Sequence, residues 1–168
     1  MDVTASVIHE NDLEWIETTN GSAFRSRRRK LAAAAGARML GASIYELAPG
    51  ASAFPFHYHC ANEELIYVLE GEGTLRIGNE KVPVRAGSFA AMPPGHDHAH
   101  RLYNTSAATL RYLCVSAMIE PEVCAYPDSH KIGVMVGSAP GGDPAKRTLA
   151  GVFRESSGVG YYDGEPEA

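Results

Sequence analysis

At 168 residues the chain suits a single domain with room for a buried core. A hydrophobic share of 45% beside 21% charged residues is ordinary for a globular protein. A formal net charge of -5 argues against nucleic acid as the main partner. No apolar run approaches the length that spans a bilayer, and the polar start MDVTASVIHENDLEW lacks the apolar stretch of a signal peptide. The expected setting is therefore the cytoplasm, with no membrane and no nucleic-acid partner. Cys60, Cys114 and Cys124 are odd in number and without CxxC spacing, so they read as reduced thiols rather than a disulfide frame.

Taken in chain order, residues 1–38 read as an irregular N-terminal arm of mixed charge. Its basic run, Arg25-Ser26-Arg27-Arg28-Arg29-Lys30, has no interleaved aromatics and reads as a solvated stretch rather than an anion-binding patch. It leads into Leu31-Ala32-Ala33-Ala34-Ala35, a short turn of good helix formers that Gly36 should end. From Met39 to about residue 120 the texture changes to short Val, Ile, Leu, Tyr and Phe segments between Gly, Pro and Asn, the pattern of an all-β domain. Strands are expected near 40–48, 53–58, 63–70, 73–78, 80–85, 88–92, 97–103 and 109–118. Gly71-Glu72-Gly73 and Gly78-Asn79 supply tight turns. Pro83 cannot donate to a ladder and marks its segment as an edge or a bulge. The number and spacing of the strands indicate a barrel or double-sheet jelly roll. Residues 121–168, with Pro121, Pro127, Pro140 and Pro144, read as a C-terminal arm packed on the barrel or on a dimer partner, its last residues frayed.

The chemistry lies in two clusters. In a strand, residues two apart project to one face, so His57 and His59 point the same way, about 7 Å apart. If that way is inward, a short turn can return the next strand with Glu64 beside them. His98 and His100 likewise share a face, and either can supply a further nitrogen. A lone His-x-His is more often a polar face or a satisfied core pair, but four candidate ligands change that balance. Imidazoles with one carboxylate suit Fe, Mn, Ni, Zn, Cu or Co better than Ca or Mg. No pattern assigns a catalytic residue or an organic cofactor.

These clusters resemble the paired motifs of the cupin superfamily. In the first, His57 and His59 flank one residue, four residues separate His59 from Glu64, and six separate Glu64 from Gly71. Gly50 precedes His57 by six intervening residues where the family has five. In the second, Gly87 is followed after five residues by Pro93-Pro94-Gly95, and then the motif is stretched by two. Counting from Gly95 selects His98 as the ligand, and counting back from Asn104 selects His100. We prefer His100, with the extra pair absorbed in the Gly95 turn. The resemblance implies a double-stranded β-helix, or jelly-roll, cupin barrel with arms at both ends. It also implies one divalent transition-metal ion held by His57, His59, Glu64 and His100, with His98 as the alternative fourth ligand. A closer likeness is to small single-domain cupins, some labelled sugar-phosphate isomerases by fold analogy. It is carried by Asn62-Glu63-Glu64 through Gly78, Asn104-Thr105-Ser106, Glu120-Pro121-Glu122-Val123 and Tyr126-Pro127-Asp128-Ser129.

On this reading the chain is a metal-binding cupin, and its expected role is a metal-dependent enzyme of oxygenase, isomerase or lyase type acting on a small polar or anionic molecule. The alternative is a non-catalytic module that binds or senses a small ligand or metal. A homodimer is expected, since both arms need a surface. Tyr67, Leu69, Leu75, Ile77, Phe89 and Tyr112 read as core. Tyr45, Phe54, Arg76 and Arg111 are candidates for lining a pocket, and Cys60 is expected to pack away from the ligand face.

Overall fold

Residues 16–30, expected to be irregular, form an antiparallel hairpin of β1 (Ile16–Asn20) and β2 (Phe24–Lys30) in the computed structural model, which describes residues 6–166. Ile16, Thr18 and Thr19 are β-branched and favour extended backbone, and Gly21 turns the hairpin at φ 59°. The positive charge of β2 does not prevent pairing because its outward side chains are neutralised locally. The guanidinium carbons of Arg27 and Arg29 lie 4.5 and 4.3 Å from the Trp15 ring centroid, and Arg27 pairs with Glu46 at 2.6 Å. The Ala-rich turn is a short helix, α1 (Leu31–Ala34), closed by Gly36 at φ 75°.

The remaining strands are β3 (Leu40–Leu47), β4 (Tyr58–His59), β5 (Glu64–Glu70), β6 (Glu72–Ile77), β7 (Glu80–Arg85), β8 (Phe89–Met92), β9 (His100–Tyr103), β10 (Leu110–Ala117), β11 (Glu122–Tyr126), β12 (Lys131–Val136) and β13 (Leu149–Arg154). One sheet has the order β1-β2-β3-β10-β5-β8. The opposite layer is made of β7-β6-β9 and β13-β12-β11-β4, joined where His57 and His100 form an antiparallel backbone bridge. The strand expected at 53–58 contracts to this bridge and β4, and the one expected at 97–103 begins only at His100 because His96–His98 winds into a single 3-10 turn. Pro83 sits on β7, at the edge of its sheet, where a missing N–H is tolerated. Gly71 turns β5 into β6 at φ 82°, and a Cβ there would stand 2.5 Å from the Thr109 carbonyl oxygen. Residues 122–154 are a three-stranded meander, with β11 paired to β4. The first five positions of the N-terminal arm and the last two of the C-terminal arm lie outside the described residues. No helix among the described residues is long and apolar enough to cross a membrane.

The core fills the space between the layers with Tyr45, Leu47, Ile66, Val68, Leu75, Met92, Leu102, Leu110 and Tyr112. Three residues expected there are not in it: Leu69 is only half-buried, and the other two face solvent. Tyr67 and Phe89 are opposite each other across β5 and β8 and are 42% and 64% exposed. The reason is parity: Glu64 faces inward, so Ile66 and Val68 must follow it and Tyr67 must face away. Leu110, on β10 in the middle of the large sheet, is fully buried. Leu110→Ala should lower unfolding free energy by about 2–5 kcal/mol, measured by denaturant titration.

Candidate metal centre

The backbone bridge is what gathers the site. His57 N–H donates to the His100 carbonyl at 3.1 Å and His100 N–H donates to the His57 carbonyl at 2.7 Å. A directly opposed antiparallel pair sends both side chains to the same face, and the two ring centroids are 4.6 Å apart. His59, two residues on, follows His57 inward at 5.1 Å between centroids. Glu64, at the head of β5, closes the group from the facing sheet, and all four side chains are buried. The ligand atoms of His57, His59 and Glu64 all lie within 4.8 Å of one another, and His100 Nε2 is 3.3 Å from Glu64 Oε1. Donors around a single small ion at ~2.1 Å stand roughly 3–4 Å apart, so the spacing suits such an ion.

Each imidazole is oriented from behind. His57 Nδ1–H donates to the Pro55 carbonyl at 2.9 Å, and His100 Nδ1–H donates to the His98 carbonyl at 3.0 Å. A carbonyl can only accept, so these tautomers leave both Nε2 lone pairs facing the Glu64 carboxylate. His59 Nδ1 faces Cys124 Sγ at 3.3 Å and Glu122 Oε2 at 3.6 Å. Its Nε2 is buried, 3.6 Å from Glu64 Oε2, with no hydrogen-bond partner. Lone pairs and a carboxylate crowded into a buried space repel one another until a cation enters. The donor set therefore fits a divalent transition metal on its own chemistry.

The titration behaviour is consistent with that crowding. Burial, followed by the His100 charge, pushes His57 down to about 4, against the pull of Glu64. Burial alone would lower His59 too, but the neighbouring Cys124, Glu122 and Glu64 side chains outweigh it and hold the imidazole well above its ordinary value. For Glu64, burial favours the neutral form, while the neighbouring His100 and His59 imidazoles overcome it and keep the carboxyl well below the carboxylate range. Both directions favour a positive charge beside the carboxylate.

Glu122 carried no role in the sequence reading, although it is fully buried. Its carboxylate accepts from the backbone N–H groups of Cys60 (3.0 Å), Ala61 (3.2 Å) and Asn62 (3.1 Å), and from the Asn62 side-chain amide. Held by so many donors, it acts as a fixed acceptor behind His59. The cluster of His59, Glu122 and Cys124 is therefore a brace rather than a second ion site. Cys60 is exposed, contrary to expectation, and it is Cys124 that reaches the site. His98 is half-buried on the turn, where its carbonyl orients His100, and His96 is exposed beside Asp97.

The His57 and His59 imidazoles and Glu64 open onto a cavity of about 620 Å³. Tyr45 and Phe54 line it as expected, together with Tyr126, Arg28 and Lys30. Arg76 and Arg111 lie elsewhere. Arg76 covers the Phe56 ring at 3.5 Å and pairs with Asp128 at 2.7 Å. Arg111 is taken by Glu10, by Glu46 at 3.6 Å and by Glu70 at 3.3 Å. Arg28 and Lys30 belong to the basic run read as solvated. Period-two alternation within that run was the signal that could have found them.

Residues 43–116 match the family model for the Cupin domain, and this part of the chain is a cupin domain with the double-stranded β-helix fold. An uncharacterised protein of Methanocaldococcus jannaschii is 34% identical over 70 residues, 42% of this chain and 54% of that protein, so the match spans about half the length of that relative. A structure from Acidithiobacillus ferrooxidans, provisionally named a sugar phosphate isomerase, superposes with a TM-score of 0.77 at 24% identity, covering 94% of this chain and 97% of that one. A cupin-superfamily sugar phosphate isomerase structure from Silicibacter pomeroyi gives 0.74 at 22% identity, with 96% of both chains covered. At these identities the two structures speak for the fold.

Removing the charge behind His59 should loosen the site without emptying the core. Glu122→Gln is expected to weaken transition-metal affinity about 10–100-fold, read by competition with a chromophoric chelator. With the His59 imidazole held above its ordinary value, metal uptake near neutral pH should displace a proton. Affinity should then rise with pH, and calorimetry in buffers of different ionisation enthalpy measures the proton count.

Proposed function

We propose that the protein is a metal-dependent enzyme of isomerase, lyase or oxygenase type, acting on a small polar or anionic molecule, with the ion held by His57, His59, Glu64 and His100. The observation that carries this reading is the buried, partnerless Nε2 of His59, turned toward Glu64 in a group of side chains that lines the 620 Å³ cavity. An ion bound there would supply Lewis acidity, polarising a carbonyl or hydroxyl of the substrate, or a centre for redox chemistry. The chain's own residues account for the rest. Pro55 and His98 carbonyls and the Glu122 carboxylate hold the imidazoles in one orientation. Phe54 and Tyr126 give the cavity aromatic surface next to His57, with ring centroids 6.0 and 6.1 Å from it. A ligand seated between those rings would be shielded from water while still facing the metal-ligand edge. The sugar phosphate isomerase names of the Acidithiobacillus and Silicibacter proteins are compatible with a substrate of this kind.

Elemental analysis of the purified protein tests the ligand set directly. The expected result is near-stoichiometric transition metal in the wild type and in His98→Ala, with strong depletion in His57→Ala and His100→Ala, all four retaining a β-rich far-UV spectrum. Full occupancy in His100→Ala would reject His100 as a ligand, and a metal-free wild type would reject the enzyme proposed here. Given a substrate, chelation should abolish turnover and re-addition of the ion should restore it, whereas a module that only binds ligand would yield no product by mass spectrometry.

A further inference from the structure

β2 sorts its cations by face. Two outward arginines are neutralised, Arg27 by Glu46 at 2.6 Å and Arg29 by Glu10 at 4.0 Å and the Asn11 side chain at 2.9 Å, both stacked on Trp15, while the third, Arg25, is exposed and donates to the Pro49 carbonyl at 2.8 Å. The inward ones, Arg28 and Lys30, line the cavity, and no carboxylate of the described residues lies within 4.0 Å of either. Arg28 Nη1 donates to the Tyr45 hydroxyl at 3.1 Å, and its Nε, like that of Arg29, is buried with no partner. Arg147 is fixed by donation to the Ser138 and Ala139 carbonyls at 3.1 and 3.2 Å and adds a third charge to the lining, which also carries Asp143. Leaving cations partly desolvated and without counter-charge is costly, and a protein that neutralises their neighbours on the same strand has reserved these.

We infer that Arg28 and Lys30, with Arg147, form an anion subsite that holds the oxyanion of a small organic phosphate or carboxylate while the ligand's other end reaches the His57, His59 and Glu64 edge of the same cavity. The proposal rests on the enzyme reading above and deepens it by naming the substrate class. The register supports the span. Lys30 is level with Ser43, Cys114 and Ile66 across β3, β10 and β5, and Glu64 is two residues beyond Ile66. Lys30 and Glu64 are thus three strand spacings and two residues apart, roughly 16 Å over the sheet. Both side chains reach into the cavity, so the ligand has to span only the gap between their charged ends. Burial and the Arg28 charge press Lys30 below the ordinary lysine value, with Asp143 opposing and Arg147 adding to it, a tension that a bound anion relieves.

The test is titration of the full chain with inorganic phosphate, in metal-loaded and chelator-stripped samples, against sodium chloride at matched ionic strength. The expected result is saturable binding in both forms, weakened about tenfold or more in Arg28→Gln and in Lys30→Gln, and unchanged in the outward-facing Arg27→Gln. Far-UV spectra and melting curves establish that each variant is folded. Should Arg28→Gln fail to fold, Lys30→Gln, further toward the rim, decides alone. A wild type that does not saturate, or a folded Lys30→Gln that binds as the wild type does, overturns the subsite. Acetate run in parallel separates the two sources of the oxyanion, tighter phosphate assigning a phosphorylated ligand and tighter acetate a carboxylate. Metal content on the same samples keeps the two readings apart. Protein that takes up no metal on loading yet still binds phosphate through Arg28 and Lys30 refutes the metal enzyme and leaves the subsite, while loaded protein that does not bind phosphate does the reverse.

Discussion

His57 and His100 exchange two backbone hydrogen bonds across a bridge only one residue pair long, and the site depends on that exchange. It joins two otherwise separate parts of one layer and fixes two imidazoles on a common face. Acceptors already in place then take their Nδ1–H groups: the carbonyls of Pro55 and His98, each two residues before the histidine it orients. With those protons committed, the remaining lone pairs have no direction left but toward Glu64. The resulting electron-rich hole is unstable without a positive charge in it.

Around this centre the molecule divides its labour. The candidate ligands His57, His59, Glu64 and His100 all lie inside the matched family segment, residues 43–116. Much of what surrounds the cavity lies outside it. Arg28 and Lys30 come from the N-terminal hairpin, Tyr126 and Cys124 from β11, and Arg147 from the connection into β13. Glu122, also from β11, reaches back to brace His59 through a carboxylate saturated by three consecutive backbone N–H groups. A shared core carrying the ion, with additions at both ends shaping its approach, is a physical basis for chains of one fold differing in the molecule they accept.

The basic run shows how a correct local description can mislead. Its charge density read as solvated because the whole run was weighed as one unit. In a strand it is two half-runs, one facing Trp15 and acidic partners and the other facing the cavity. The same period of two explains the misplaced aromatics. Once Glu64 is taken as inward, Tyr67 has to be outward, and Phe89 opposite it follows.

Spacing alone determined which side chains share a face, because extended backbone repeats every two residues whatever surrounds it. The all-β class, the pairing of His57 with His59 and the edge or bulge at Pro83 follow from local geometry, while the choice of Glu64 over Glu63 rests on the six-residue step to Gly71 in the cupin resemblance. Which face turns inward is a different matter. It is set by strand pairings between residues tens of positions apart, and no local preference encodes them. Only the tertiary structure could bring His100 rather than His98 to Glu64, seat Glu122 behind His59 across more than sixty residues, and turn Arg28 and Lys30 into the cavity while Arg27 and Arg29 face out.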